Sequence, residues 1–260
     1  MEKILIIAGS DSGGGAGIQA DIKTANAHKT YSSTVITCLT AQNTQKVTAI
    51  YNPQIEFLAK QLEAVFEDIN FNAIKIGMLG KQEIIKTVGR ILKEKAKNIP
   101  IILDPVMVAT SGDVLLEKEA IKELKNLCIL SKIITPNIDE AEILANIKIK
   151  NIADMKLAAQ IIKKFGCQSI LIKGGHLDFN DGKIYSVLLD EKNDFTLISN
   201  KRIGKKNIHG TGCTLASALA CNIAKKQNLK KAAQKANSYV GKAIKSAIKI
   251  GKGSLVLKHF

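Results

Sequence analysis

The chain has 260 residues, 46% of them hydrophobic, and a formal net charge of +15 at pH 7. No apolar run approaches the roughly 18 residues that cross a bilayer, so no membrane span is expected. The charge invites a nucleic-acid role. However, only Arg90 and Arg202 among the 38 basic residues are arginine, aromatics are 4%, and tryptophan is absent. Nucleic-acid recognition leans on arginine forks and stacking aromatics, so no nucleic-acid partner is expected, and the dispersed lysines instead favour small anionic substrates.

Met1-Glu2-Lys3 followed by Ile4-Leu5-Ile6-Ile7-Ala8 is too short and too early for a signal peptide, and predicts a buried strand over 3–8. Further strands are expected near 33–38, 73–77, 99–103, 132–135 and 169–172. Helices are expected over 16–28, 54–69, 81–96, 117–128, 139–145, 154–165, 212–226 and 229–248. Residues 184–199 read as an antiparallel hairpin at a sheet edge. No repeat or linker divides the sequence, which points to a single domain over 1–260. Strand–helix alternation with buried strands argues for an α/β fold, a mostly parallel central sheet with helices on both faces. The five cysteines, at positions 38, 128, 167, 213 and 221, show no CxxC spacing, so neither zinc nor a disulfide framework is indicated. A cytoplasmic protein is the simplest account.

Ligands of such sheets bind beyond the carboxyl ends of strands, so the loops there hold the functional candidates. The first, Gly9-Ser10-Asp11-Ser12-Gly13-Gly14-Gly15-Ala16-Gly17, carries five glycines in nine residues and implies backbone close to a ligand or a tight turn. Gly9 and Gly14 have the P-loop glycine spacing, but Gly15-Ala16 replace its lysine and hydroxyl residue, and Gly15-x-Gly17-x-x-Ala20 is a degenerate dinucleotide fingerprint. Gln42, after the second strand, offers a donor and an acceptor on one planar group, suited to a heteroaromatic edge. Asp104 ends the 99–103 strand and can hold Mg²⁺ through water, orient a hydroxyl, or cap a turn. In Asn137-Ile138-Asp139-Glu140-Ala141-Glu142, helix capping explains the composition without a metal, and a water-mediated Mg²⁺ contact through Glu140 is the second reading. Lys173, before Gly174-Gly175-His176, can reach phosphates.

His209-Gly210-Thr211-Gly212-Cys213-Thr214-Leu215 is a glycine-rich turn opening a helix. Its free amides, with the partial positive charge of a helix N-terminus, suit an anion. The same field would lower the pKa of Cys213 and make it a candidate base or nucleophile.

Together these segments resemble the hydroxymethylpyrimidine/phosphomethylpyrimidine kinases (the ThiD family) of thiamine biosynthesis, in the ribokinase-like superfamily. The resemblance runs from Ile7-Ala8-Gly9-Ser10-Asp11 to His259-Phe260. It is carried by seven motifs in order: Gly13 to Asp21, Leu39 to Thr44, Lys75 to Leu79, Leu103 to Val108, Thr135-Pro136-Asn137, Lys173 to His176 and His209 to Leu215. It implies a three-layer α/β/α fold and a homodimeric enzyme. That enzyme uses ATP and Mg²⁺ to phosphorylate the hydroxymethyl group of an aminopyrimidine, and then its monophosphate. By the same resemblance Gln42 reads the pyrimidine, with Gly9, Asp21 and Met78 around it. Lys173, Asn137 and His209 attend ATP, Asp104 and Glu140 the metal, and Gly210, Thr211 and Gly212 the transferring phosphoryl group. Cys213 stands where most sugar kinases of the superfamily carry an aspartate base, and it points to the pyrimidine and pyridoxine branch. Two departures touch the nucleotide contacts: Ile208 replaces a usual threonine, and Thr110 a frequent lysine.

The nearest alternative is a pyridoxal or pyridoxine kinase, including dual use. From other classes come a cysteine hydrolase pairing Cys213 with His209 and a non-catalytic ligand-binding protein. In the hydrolase, His209 would precede the helix without a fixed orientation. A binding protein would be expected to lack Cys213, Asp104 or the Gly-Thr-Gly turn.

Overall fold

The computed structural model describes residues 1–107, 120–175, 177–204 and 207–259. Thr110, Ser111 to Asp113, His176 and Phe260 lie outside the described residues. In chain order the described elements are β1 (Lys3–Asp11), α1 (Gly17–Ala27), β2 (Tyr31–Gln42), β3 (Val47–Tyr51), α2 (Ile55–Asp68), β4 (Ala73–Ile76), α3 (Gln82–Lys95), β5 (Ile101–Leu103) and α4 (Ala120–Cys128). There follow β6 (Ile133–Ile134), α5 (Ile138–Ala145), α6 (Ile152–Lys163), β7 (Ser169–Lys173), β8 (Lys183–Leu189), β9 (Phe195–Lys201), β10 (Ile208–His209), α7 (Thr211–Ala224), α8 (Leu229–Lys245) and β11 (Leu255–Val256).

Nine strands form one sheet in the order β3-β2-β1-β4-β5-β6-β7-β8-β9. The six from β2 to β7 pair in parallel, and antiparallel strands close both edges. Side chains alternate along β1 and feed two separate cores. Leu5 and Ile7 pack with residues of α2 to α6, whereas Ile4 and Ile6 pack with α1, α7 and α8. This is the expected three-layer arrangement, and it follows from the two-residue period of buried strands.

α7 lies deepest, with every residue from Thr214 to Ala224 buried. Its Ala, Ser and Cys side chains allow it to approach β1, β4 and β5 while α1 and α8 flank it. The helix is thereby held with its N-terminus at the carboxyl ends of the strands.

The strand ends and edges differ from the sequence expectations, and β1 runs to Asp11 instead of ending near 8. β2 extends to Gln42 instead of ending near 38. Val47–Tyr51 forms an unforeseen edge strand returning along β2. β10 and β11 form a separate parallel pair, with Ile208 opposite Leu255 and His209 opposite Val256. That pair is only two residues per strand, too short for any periodicity to announce.

Candidate active site

The carboxyl ends of β1, β2, β4, β5, β6 and β7 and the start of α7 border one cleft of about 950 Å³. Gly9, Gln42, Met78, Asp104, Asn137, Glu140, Lys173, His209, Gly210, Thr211, Gly212 and Cys213 all line it. Sequence-distant loops therefore converge as expected, and Asp21 alone of the named candidates does not line the cleft. It lies beneath it, fully buried, where its Oδ2 takes a 2.7 Å bond from Lys75 Nζ and its Oδ1 one of 2.7 Å from Ser217 Oγ. Asp21 is thus a counter-ion rather than a lining residue. A fully buried lysine needs such a partner, because an unpaired charge in the core is very costly.

The Gly-Thr-Gly turn has the geometry expected of an anion site. Gly210 is the N-cap at φ +83°, and no side chain caps the helix. A Cβ on Gly210 would lie 1.9 Å from the carbonyl oxygen of Gly15, and one on Gly15 would lie 2.7 Å from His209 Cδ2. The two glycine-rich turns therefore interlock. The first turn's amides are directed inward: Asp11 Oδ1 accepts from Gly13 N at 2.8 Å, and Oδ2 from Gly15 N at 3.0 Å and Ala16 N at 2.8 Å. Its glycines serve this turn and the approach of the second loop, in place of a phosphate cradle of their own.

Between the two ends stands a charged cluster. Lys173 Nζ donates to Asp104 Oδ1 at 2.7 Å, and Thr135 Oγ1 donates to the same oxygen at 2.9 Å. A Cβ on Gly212 would lie 3.3 Å from Lys173 Nζ and 3.5 Å from Asp104 Oδ2, which places this pair at the mouth of α7. Burial works against the Lys173 charge, but Asp104 and Glu140 hold its pKa above the ordinary lysine range. Glu140 completes a capping box with Asn137: Asn137 N donates to Glu140 Oε2 at 2.8 Å, and Glu140 N to Asn137 Oδ1 at 2.8 Å. Burial, with the nearby Asp104 charge, pushes the Glu140 carboxyl up to about 7 despite Lys173. Capping and a cleft-facing carboxylate thus coexist in one residue.

Cys213 corrects the expectation of a lowered thiol pKa. Burial pushes it up to about 11. The Lys75 charge and a hydrogen bond from Gly17 N oppose the rise, and Asp21 and Asp104 add to it. Desolvation outweighs the helix N-terminus, so the thiol is protonated at neutral pH. His209, which the resemblance assigns to ATP, lies next to Gln42. Its Nε2 is 2.9 Å from Gln42 Nε2 and 3.2 Å from Asp11 Oδ2. Gln42 Oε1 is 3.1 Å from Thr40 Oγ1, and the Gln42 backbone exchanges bonds with the Ser12 hydroxyl at 2.7 and 2.8 Å. Ile208 lines the cleft beside Asn207.

Asp11, Lys75 and Thr135 were not singled out in the sequence. Lys75 had a signal: a lysine inside the apolar run Ala73-Ile74-Lys75-Ile76, whose four residues are all buried, demands a buried carboxylate. Asp11 had none, because an aspartate in a glycine-rich turn is ordinary composition.

The phosphomethylpyrimidine kinase family model matches residues 11–258. The hydroxymethylpyrimidine/phosphomethylpyrimidine kinase of Bacillus subtilis (strain 168) is 42% identical over 259 residues, covering 99% of this chain and 94% of that protein. Among solved structures, the phosphomethylpyrimidine kinase of Clostridium difficile 630 is 43% identical with a TM-score of 0.82, over 94% of this chain and 100% of that one. The pyridoxal kinase of Staphylococcus aureus in complex with AMP-PCP and pyridoxal is 32% identical with a TM-score of 0.90, over 100% of this chain and 93% of that one. Backbone shape is thus shared across both kinds of kinase, while sequence identity is higher to the pyrimidine enzymes. The convergence of Gln42, Asp104, Lys173 and the Gly210–Cys213 turn on one cleft, together with a family match over nearly the whole length, shows that the chain belongs to the phosphomethylpyrimidine kinase family.

Proposed function

We propose that the protein is a cytoplasmic kinase that moves the γ-phosphoryl group of ATP onto the hydroxymethyl group of 4-amino-5-hydroxymethyl-2-methylpyrimidine, and then phosphorylates the monophosphate to the diphosphate. The observation that carries this reading is the layout of one cleft. It is lined by the Gln42 amide and the Met78 thioether, by an uncapped helix N-terminus, and by the apolar Ile184, Ile203, Val240 and Ile244, and β2, which ends in Gln42, is separated from β8, which carries Ile184, by the five strands between them. The first suits a heterocycle, the second a phosphoryl group in transfer, and the third an adenine ring. Phosphoryl transfer of this loose kind needs positioning and charge stabilisation more than early proton removal. Cys213, a thiol in the ligand-free cleft, can take the hydroxyl proton late in the transfer only by passing its own proton on to a phosphate oxygen or water. Five free cysteines accord with a reducing compartment.

Mg²⁺ fits the donor set. Asp104 and Glu140 supply two carboxylates beside Lys173, and no group of three or more His, Cys, Asp or Glu able to hold a metal is present among the described residues. That suits an ion held mainly by water and phosphate oxygens. Its chemistry would be charge neutralisation on the phosphates. We also propose a homodimer: the edge hairpin exposes Leu39, Ile50 and Tyr51, and sedimentation measures the assembly directly.

ATP consumption with hydroxymethylpyrimidine or pyridoxine as acceptor tests the reading, and the pyrimidine is expected to be the better acceptor. The 0.90 TM-score to a pyridoxal kinase is the reason to include pyridoxine. Gln42→Ala should raise the Michaelis constant for the pyrimidine by roughly 5- to 150-fold, the equivalent of about 1–3 kcal/mol for an unpaired buried contact. The constant for ATP should change little. Equal weakening toward both substrates would assign Gln42 to the fold instead.

A further inference from the structure

Thr40, Gln42, His209 and Asp11 form a chain of polar side chains at the heterocycle end of the cleft, and counting its protons gives the chain a direction. The Thr40 hydroxyl has one hydrogen and two groups within reach, the Ser10 carbonyl at 2.9 Å and the Gln42 side chain at 3.1 Å; given to the nearer, the hydrogen leaves the oxygen to accept from Gln42. Burial opposes ionisation of Asp11, but its bonds with His209, Ala16 and Gly13 hold its pKa below the usual carboxylate value. Asp11 is therefore an acceptor with no hydrogen to give, and His209 Nε2, 3.2 Å away, carries the proton between them. Gln42 meets the same protonated nitrogen and must present an acceptor to it. Turned by 180°, the amide sets its oxygen 2.9 Å from His209 Nε2 and its nitrogen 3.1 Å from Thr40 Oγ1. In this orientation every contact in the chain sets a donor against an acceptor, the single His209 Nε2–H being shared between Asp11 Oδ2 and the Gln42 oxygen.

We propose that His209, seated on Asp11, is a positioning residue that fixes which way the Gln42 amide faces, and thereby selects heterocycles by the order of donor and acceptor along their edge. This rests on Gln42 reading the heterocycle, as proposed above. The oriented amide keeps one lone pair on its His209 side and one N–H on its Thr40 side. With the hydroxymethyl group toward Cys213, a ring must offer a donor to the first and an acceptor to the second. A 4-aminopyrimidine does so with its exocyclic amine and adjacent ring nitrogen. A 4-oxopyrimidine, whose carbonyl accepts and whose ring N–H donates, presents the reverse order.

Packing holds the arrangement in place. The His209 ring lies against Gly15, where any Cβ would collide, and β10 is pinned by β11. The segment leading into β11 also grips the loop after Gln42: Ser254 N donates to Thr44 O at 2.7 Å, and Leu255 N to Asn207 O at 2.9 Å. One C-terminal strand therefore ties both partners of the Gln42–His209 contact together.

The test compares kcat/KM for 4-amino-5-hydroxymethyl-2-methylpyrimidine and its 4-oxo analogue in the wild type and in His209→Phe, His209→Asn and Gln42→Ala. The wild type should prefer the amino compound by roughly 5- to 150-fold. His209→Phe, which frees the amide to turn, should cut that preference about tenfold and leave the Michaelis constant for ATP near its wild-type value. His209→Asn retains a donor and should restore most of the preference. An unchanged preference in His209→Phe, with the preference lost in Gln42→Ala, overturns the positioning role and leaves the reading of Gln42 standing. A preference that is absent, or untouched by Gln42→Ala, overturns both. Nitrogen NMR of the wild-type protein tests the same point without a variant: His209 should be protonated at Nε2, and a neutral ring protonated only at Nδ1 refutes the proposal.

Discussion

Two opposed influences act on the Cys213 thiol. The N-terminus of α7 and the Lys75 charge favour the thiolate, while burial and the carboxylates of Asp21 and Asp104 favour the thiol, and the second group prevails, pushing the thiol pKa up to about 11. Since the thiolate is the reactive form, alkylation of Cys213 in the ligand-free protein should be slow at neutral pH. It should then rise about tenfold for each unit of pH toward 11. A rate already at its plateau near pH 8 would contradict the desolvation argument. Cys213→Ala should lower turnover by roughly 10²–10⁴ while ATP still binds, the usual contribution of a positioned proton acceptor. Near-normal turnover in that variant would remove the thiol from the proton path. Cys213→Asp should recover part of the loss.

At the scale of elements, the site depends on two turns that share space. Gly210 takes a left-handed conformation because no side chain fits between it and the Gly15 carbonyl. Gly210→Ala should therefore cost at least the roughly 1–2 kcal/mol of left-handed strain, and more from the collision. Urea unfolding should show the stability loss, and the Michaelis constant for ATP should rise as the turn retreats from the cleft. Stability equal to the wild type would mean that the two turns separate easily. The capping box of Asn137 and Glu140 shows the complementary case. There the composition read as a helix start was right about the helix, and Glu140 still lines the cleft.

At the scale of the whole molecule, the Lys75–Asp21 pair joins β4 to α1, and through Ser217 to α7, directly beneath Cys213. Removing one partner strands a buried charge. Lys75→Met alone should destabilise by about 3–5 kcal/mol, and Lys75→Met with Asp21→Leu by much less, as buried pairs replaced together usually are. Thermal unfolding of the two variants checks this. A double variant as unstable as the single one would show that the pair itself, and not charge balance, holds the three elements. Activity of a stable double variant then reports how far Lys75 supports the thiol.

Chain-local information determined much of this protein. The continuous apolar run of β1, buried on both faces, and the helical periods of α2, α3 and α8 were legible because burial on two faces or on one is written into the local order of residues. The turns around Gly9–Gly17 and Gly210–Cys213 were legible because few residues tolerate such backbone. What distinguished a lining residue from a buried counter-ion was long-range. Asp21 and Gln42 both follow glycine- or threonine-rich segments in sequence, yet one faces Lys75 below the floor and the other faces the cleft. Only the tertiary structure decided that His209 meets Asp11 and Gln42, some 198 and 167 residues away along the chain. It also decided that desolvation would overrule the helix field at Cys213. Both outcomes depend on which groups the fold packs side by side and how much water it leaves between them, and neither quantity is a property of any single segment.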